Sequence, residues 1–160
     1  MAFRIGDDCE KWFQNLKKEG VFKTQFDRYY LCLMAGLAAG RTTSLGPSTE
    51  FVKNFVDDYK GSQLSLLAML IYAEAKRYGV SVSDRDAARS FLNSYLDPND
   101  PSRLSSVGFS RLNEYAAGGF VFIRENFQHE PYQFLPFIEQ YTKLIREQVP
   151  RSYPEAVVSA

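Results

Sequence analysis

The 160-residue sequence has one histidine, two cysteines, one tryptophan and no excess of either charge sign. Each scarcity removes a class of protein. With His129 alone, no metal set with two histidine ligands can form, and a Ser-His-Asp or Cys-His arrangement would have to be built around that one ring. His129 lies in QHEPYQF, a turn before the last helical pattern, where it reads as an exposed side chain. Cys9 and Cys32 are far apart in the chain, with no CxxC and no histidine pair beside them. Neither a disulfide framework nor a zinc site is indicated, and both read as buried, inert thiols. No Walker-type loop or GxGxxG occurs, so no cofactor is implied.

The 19 basic and 19 acidic residues cancel, leaving no global field to draw the molecule to nucleic acid or anionic lipid. No apolar run approaches the roughly 18 to 20 residues that span a bilayer, and MAFRIGDDCEKW lacks the apolar core of a signal peptide. The expectation is a cytoplasmic protein without membrane contact. Acid pairs Asp7 with Asp8 and Asp84 with Asp86 open helices, where they favour the macrodipole, and Asp57 with Asp58 reads as a solvated helix face. No metal is assigned to them.

What is present is helical periodicity and aromatic surface. Aromatics make up 15% of the chain, with 13 Phe and 10 Tyr. That is more ring surface than a small helical core needs, so part of it is expected to face a partner. DDCEKWFQNLKKEG places Cys9, Trp12, Phe13 and Leu16 on one face and stops at Gly20. Thr24 and Asp27 form a capping-box signal for a second helix with the stripe Phe26, Tyr29, Tyr30, Leu33, Met34 and Leu37. Its other positions, from Cys32 to Ala39, are mostly small, which suits a core helix or a close contact with another subunit.

TEFVKNFVDDYK reads as a third helix, and QLSLLAMLIYAEAKRYG, apolar on nearly every side, as the central and most buried one. SVSDRDAARSFLNSYL follows, capped by Ser83 with Asp86 and turning Ala87, Ala88, Phe91, Leu92, Tyr95 and Leu96 inward. DPNDPSRLSSVG is the longest loop. FSRLNEYAAGGFVFIRENF reads as one helix carrying Gly118 and Gly119, with a helix, a glycine break and an FVFI strand as the alternative. PFIEQYTKLIREQ closes the pattern with Phe137, Ile138, Tyr141, Leu144 and Ile145 on one side. Strand alternation is nearly absent and no repeat shows. The predicted fold is an all-α, compact bundle of six or seven helices, one domain over residues 1–149, followed by a flexible tail over 150–160.

Between residues 11 and 41 the charge is locally +4, from Lys11, Lys17, Lys18, Lys23, Arg28 and Arg41 against Glu19 and Asp27. Two readings fit: a phosphate-contacting surface, or ordinary lysines closing a helix. Gly36 and Ala39 on the small-residue helix, with Phe120, Phe122, Tyr132 and Phe134, are the candidates for a protein interface.

RIGDDCEKWFQNLKKEGVFKTQFDRYYLCLMAGL resembles the opening of the DndE family, small helical proteins of bacterial DNA phosphorothioation systems. Arg4, Ile5, Leu16, Lys17, Lys18 and Gly20 fit its first helix and turn, and Asp27-Arg28 through Leu37 follow its second helix approximately. The turn after Gly20 differs in length, the family's Cys-Arg pair is missing, and nothing past about residue 45 corresponds. The resemblance implies a non-catalytic subunit of a DNA-handling or anti-phage complex, with Lys17 and Lys18 facing DNA. The leading expectation is therefore an accessory, scaffolding subunit with protein partners. The alternative is a direct, sequence-independent DNA binder that multiplies its patch as a homo-oligomer, and an enzyme using His129 is a third reading.

Overall fold

The computed structural model describes residues 1–81 and 83–155. Within them the chain runs β1 (Phe3–Gly6), α1 (Asp7–Trp12), α2 (Gln14–Glu19), α3 (Gln25–Ala39), β2 (Ser48–Val52) and α4 (Asp57–Lys60). It continues as α5 (Gln63–Tyr78), α6 (Arg85–Tyr95), β3 (Leu96–Asp97), β4 (Asp100–Leu104), α7 (Ser106–Asn126) and α8 (Phe134–Ser152). The protein is mostly helical and shares one core, but it is not purely all-α: eight helices stand beside two small antiparallel sheets among the described residues.

The centre is the crossing of α3 with α7, and glycine makes it possible. A Cβ on Gly119 would run into the carbonyl oxygen of Cys32, and one on Gly36 into that of Tyr115. The two backbones therefore touch where these residues meet. This answers the Gly118-Gly119 question: α7 passes through both without a break. Each interior glycine forgoes about 1 kcal/mol of helix propensity relative to alanine. The close approach returns it as dispersion contact along both helices. Gly36 is thus an internal packing residue, which corrects its assignment to a subunit interface.

The capping box of Thr24 and Asp27 forms, with the Asp27 carboxylate accepting from the Thr24 backbone at 2.9 Å. At the far end Gly40, at φ +60°, closes α3 in the left-handed conformation. Buried Phe26, Tyr29, Leu33 and Leu37 are the expected stripe, and Cys32, Ala35, Gly36 and Ala38 are buried on the other side. α3 is therefore buried or half-buried on every side, with Tyr30, Leu31 and Met34 only partly covered.

Several expectations change. Phe3 and Ile5 alternate inward along β1, which pairs with β2 in the register Ile5↔Thr49 and Gly6↔Ser48. The helix expected over 49–60 is instead β2 followed by the short α4, with Asp57 and Asp58 in its first turn. The helix expected over 7–20 is interrupted at Phe13, fully buried between α1 and α2. The long loop is a hairpin, β3 against β4. α6 is capped by Asp84, which accepts from the backbone of Asp86 and Ala87, rather than by Ser83. Of α6's expected inward residues only Tyr95 is buried, while Leu92 and Ala87 are exposed. The tail does not begin at 150, since α8 extends to Ser152 and Tyr153 is buried with its hydroxyl donating to the Leu37 carbonyl at 2.6 Å. Residues 156–160 lie outside the described residues.

The aromatic surplus is mostly spent inside. Phe3 meets Phe26, Tyr29, Phe55 and Phe109 with ring centroids between 4.9 and 5.4 Å. Trp12 gathers Phe13, Phe120, Phe127 and Phe137 edge-on at 4.8 to 6.3 Å. Phe120 and Phe122 are core, so they too leave the list of interface residues.

Candidate functional site

Three places on the fold are candidate sites: the lysine-bearing segment, the outer face of α5 and a cavity beside α1. The basic segment divides into paired arginines and exposed lysines. Arg28, 2% exposed, is held by the Glu10 carboxylate through Nε at 3.0 Å and Nη2 at 2.8 and 2.9 Å, and its guanidinium lies over the Phe22 ring. It therefore cannot face a phosphate. Arg41 makes a two-point contact with Glu125, which pulls the Glu125 carboxyl below its ordinary value. Lys11, Lys17, Lys18 and Lys23 are exposed and enter no ion pair among the described residues. Against Glu19 and Asp27 they leave an excess of +2. Sequence spacing could not reveal this division, because both arginines find their acids far along the chain or on another helix.

α5 is the second place. Leu66, Leu67, Leu70, Ala73 and Glu74 face the core, so the helix is buried on one side only. Leu64, Ala68 and Tyr72, spaced four apart, are exposed on the other, Leu64 at 68%. The expectation of a central, enclosed helix is corrected: α3 and α7 take that position. The Tyr72 hydroxyl donates to the Glu155 carboxylate at 2.9 Å, and its ring lies 5.5 Å from that of Tyr153. Of the remaining candidate interface residues, Tyr132 is exposed, whereas Ala39 and Phe134 are half-buried.

Behind the inner face of α5, Glu74 is fully buried and receives four bonds. Arg111 donates through Nε at 3.0 Å and Nη2 at 2.9 Å, and the hydroxyls of Tyr95 and Tyr115 donate at 2.9 and 2.8 Å. Burial pushes the Glu74 carboxyl up, but the bonds from Arg111, Tyr115 and Tyr95 outweigh it and leave the group below its ordinary value. Burial and Glu74 raise the Tyr95 hydroxyl to about 12. Every lone-pair direction on the carboxylate is occupied, so the cluster ties α5 to α6 and α7 and has no free acceptor for chemistry.

The third place is a cavity of about 540 Å³ bounded by β1, α1, α7 and residues 43–47. That lies within the size range of small-molecule clefts, about 300 to 1,000 Å³. Its buried lining includes Ile5, Cys9, Tyr29, Cys32 and Phe120, and its exposed lining Asp8, Lys11 and Arg124. Arg124 stands 3.6 Å from Asp8 and over the Phe120 ring. The two cysteines, distant in sequence, meet here with sulfurs 3.5 Å apart, both as free thiols. Burial, and then the neighbouring thiol, push Cys9 well above the ordinary thiol value. The one signal that could have paired them was helical phase: Cys9 falls on the core face of α1, and Cys32 on the small side of α3.

His129 is exposed, without a hydrogen-bond or ionic partner among the described residues. No group of three or more His, Cys, Asp or Glu side chains placed to hold a metal ion occurs among the described residues, and no helix there is long and apolar enough to cross a membrane. Comparison with family models, curated proteins and solved structures found no match.

Proposed function

We propose that the protein works by binding rather than by catalysis, as an accessory subunit that docks on a protein partner through the outer face of α5. The observation that carries this reading is the exposure of Leu64, Ala68 and Tyr72 on a helix whose opposite face is buried. A helix apolar on nearly all sides is suited to enclosure, and here Leu64 and Ala68 stay exposed while Tyr72 is only partly covered, by Tyr153 and Glu155. The buried charges support the same reading, because Glu74 and Arg28 spend their hydrogen-bonding capacity on internal partners.

The resemblance of residues 4–40 to the DndE family extends the proposal to a bacterial, cytoplasmic assembly that handles DNA, including anti-phage defence. In it, Lys11, Lys17, Lys18 and Lys23 supply backbone-phosphate contacts, which position a protein on DNA without reading sequence. An excess of +2 is too small to hold DNA alone at physiological salt, which favours the accessory role over a monomeric DNA binder. The second reading, a homo-oligomer that sums several such patches, rests on the exposure of those four lysines.

A double variant, Leu64→Glu with Ala68→Glu, tests the docking face. Both positions are exposed, so unfolding is expected to shift by no more than about 1 kcal/mol. Co-purification of specific host proteins with the tagged chain is expected to be lost. A variant that retains the same proteins at wild-type yield removes the α5 face from the proposal. A wild-type chain that enriches no host protein over a tag-only control removes the accessory role itself.

A further inference from the structure

Cys9 and Cys32 come from different helices and meet within one cavity, with their sulfurs 3.5 Å apart. We propose that they form a reversible modification site, oxidised by a small hydroperoxide that enters this cavity to an intramolecular disulfide joining α1 to α3. The inference is independent of the docking role.

The geometry provides three requirements. The first is proximity: the sulfurs need to close from 3.5 Å to the about 2.05 Å of a disulfide. The second is a pair held face to face: Cys9 lies on α1 and Cys32 on α3, and the Glu10–Arg28 ion pair ties these two helices together beside the sulfurs. The third is access with selectivity. Both cysteines line the cavity, yet Cys9 is 3% and Cys32 2% exposed. A hydroperoxide fits where a protein thiol or a bulky disulfide reagent does not.

The chemistry closes without another reactant. One sulfur attacks the peroxide oxygen, the O–O bond breaks, and a sulfenic acid forms as an alcohol or water leaves. The second sulfur then displaces the hydroxyl, the S–S bond forms and water leaves. Two thiols are oxidised, one hydroperoxide is reduced, and both thiol protons leave on oxygen. Burial holds Cys9 as the thiol, so its proton must leave before the sulfur attacks, and the site oxidises slowly with a hydroperoxide as with other electrophiles. The adjacent sulfur captures a sulfenic acid before it meets a second peroxide.

The test uses the purified, reduced full chain treated with tert-butyl hydroperoxide, quenched in denaturant with an alkylating agent and weighed intact. The expected product has lost two hydrogens and both alkylatable thiols, remains a monomer, and regains both thiols with dithiothreitol. Cys9→Ser and Cys32→Ser are each expected to abolish that species. Should either variant fold poorly, peptide mapping of the wild-type product for a Cys9–Cys32 linkage decides the matter. Thiols that persist in the folded chain, sulfinic or sulfonic acids as the main product, or a disulfide-linked dimer would each overturn the proposal.

Discussion

Glu74 shows how much a single buried group can hold. It joins Arg111 and Tyr115 of α7 and Tyr95 of α6 to α5, and its side chain has no exposure. Glu74→Gln is expected to lower stability by roughly 3 kcal/mol, since it leaves the Arg111 guanidinium without its counter-charge and turns an amide donor towards other donors. Because the folded carboxyl is held below its ordinary value, its contribution is complete above about pH 4.3 and is lost as pH falls through the lower folded value. Denaturant melts of the two proteins from pH 7 to pH 2 are therefore expected to converge in strong acid. Little of this was legible beforehand. Glu74 sat within an apolar pattern with no marker of burial, and its partners lie 21 to 41 positions away in sequence. By contrast Cys9, Trp12, Phe13 and Leu16, with Phe137 and Tyr141, were readable as core because period alone decides such positions.

Among the elements, α3 and α7 show where periodicity succeeds and where it fails. The stripe on α3 was legible, yet its small-residue side gave no indication of whether it met this chain or another. Gly119→Ala measures that contact. The added Cβ meets backbone, which cannot rotate away, so a loss of about 2 to 3 kcal/mol is expected despite alanine's better helix propensity. A rise in the denaturation midpoint would mean that the two helices are further apart than described. α5 misled in the opposite direction: composition marked it as enclosed, but enclosure depends on which helices fill the centre. The strands escaped because β1 has four residues and β3 two, too few for alternation to stand out. Their pairing depends on partners that local pattern does not contain, as with Ile5 and Thr49.

For the whole molecule, zero net charge conceals an uneven surface, and the burial of Arg28 sharpens the point. DNA contact, if made through the α1–α2 segment, depends on Lys11, Lys17, Lys18 and Lys23. Light-scattering mass with a short duplex, at low and moderate salt, is expected to show weak, salt-sensitive association. Lys17→Glu with Lys18→Glu is expected to abolish it, while Arg28→Gln acts through stability instead. Association unchanged by the lysine exchange would exclude this segment as the phosphate surface. The exposure of the four lysines was legible in the sequence, whereas Arg28 and Arg41 have partners that only the fold supplies.

Asn113 accepts from the Arg4 backbone and donates to the carbonyl of Ala2, Tyr141 bonds Leu31, and Tyr153 bonds Leu37. The first forty residues are thus completed by partners about 110 positions later. On the ribosome, α3 can be made early but not sealed. Its apolar surface waits until α7 and most of α8 have left the exit tunnel, so a chain stalled before then is expected to offer chaperones the open face of α3 rather than a finished half.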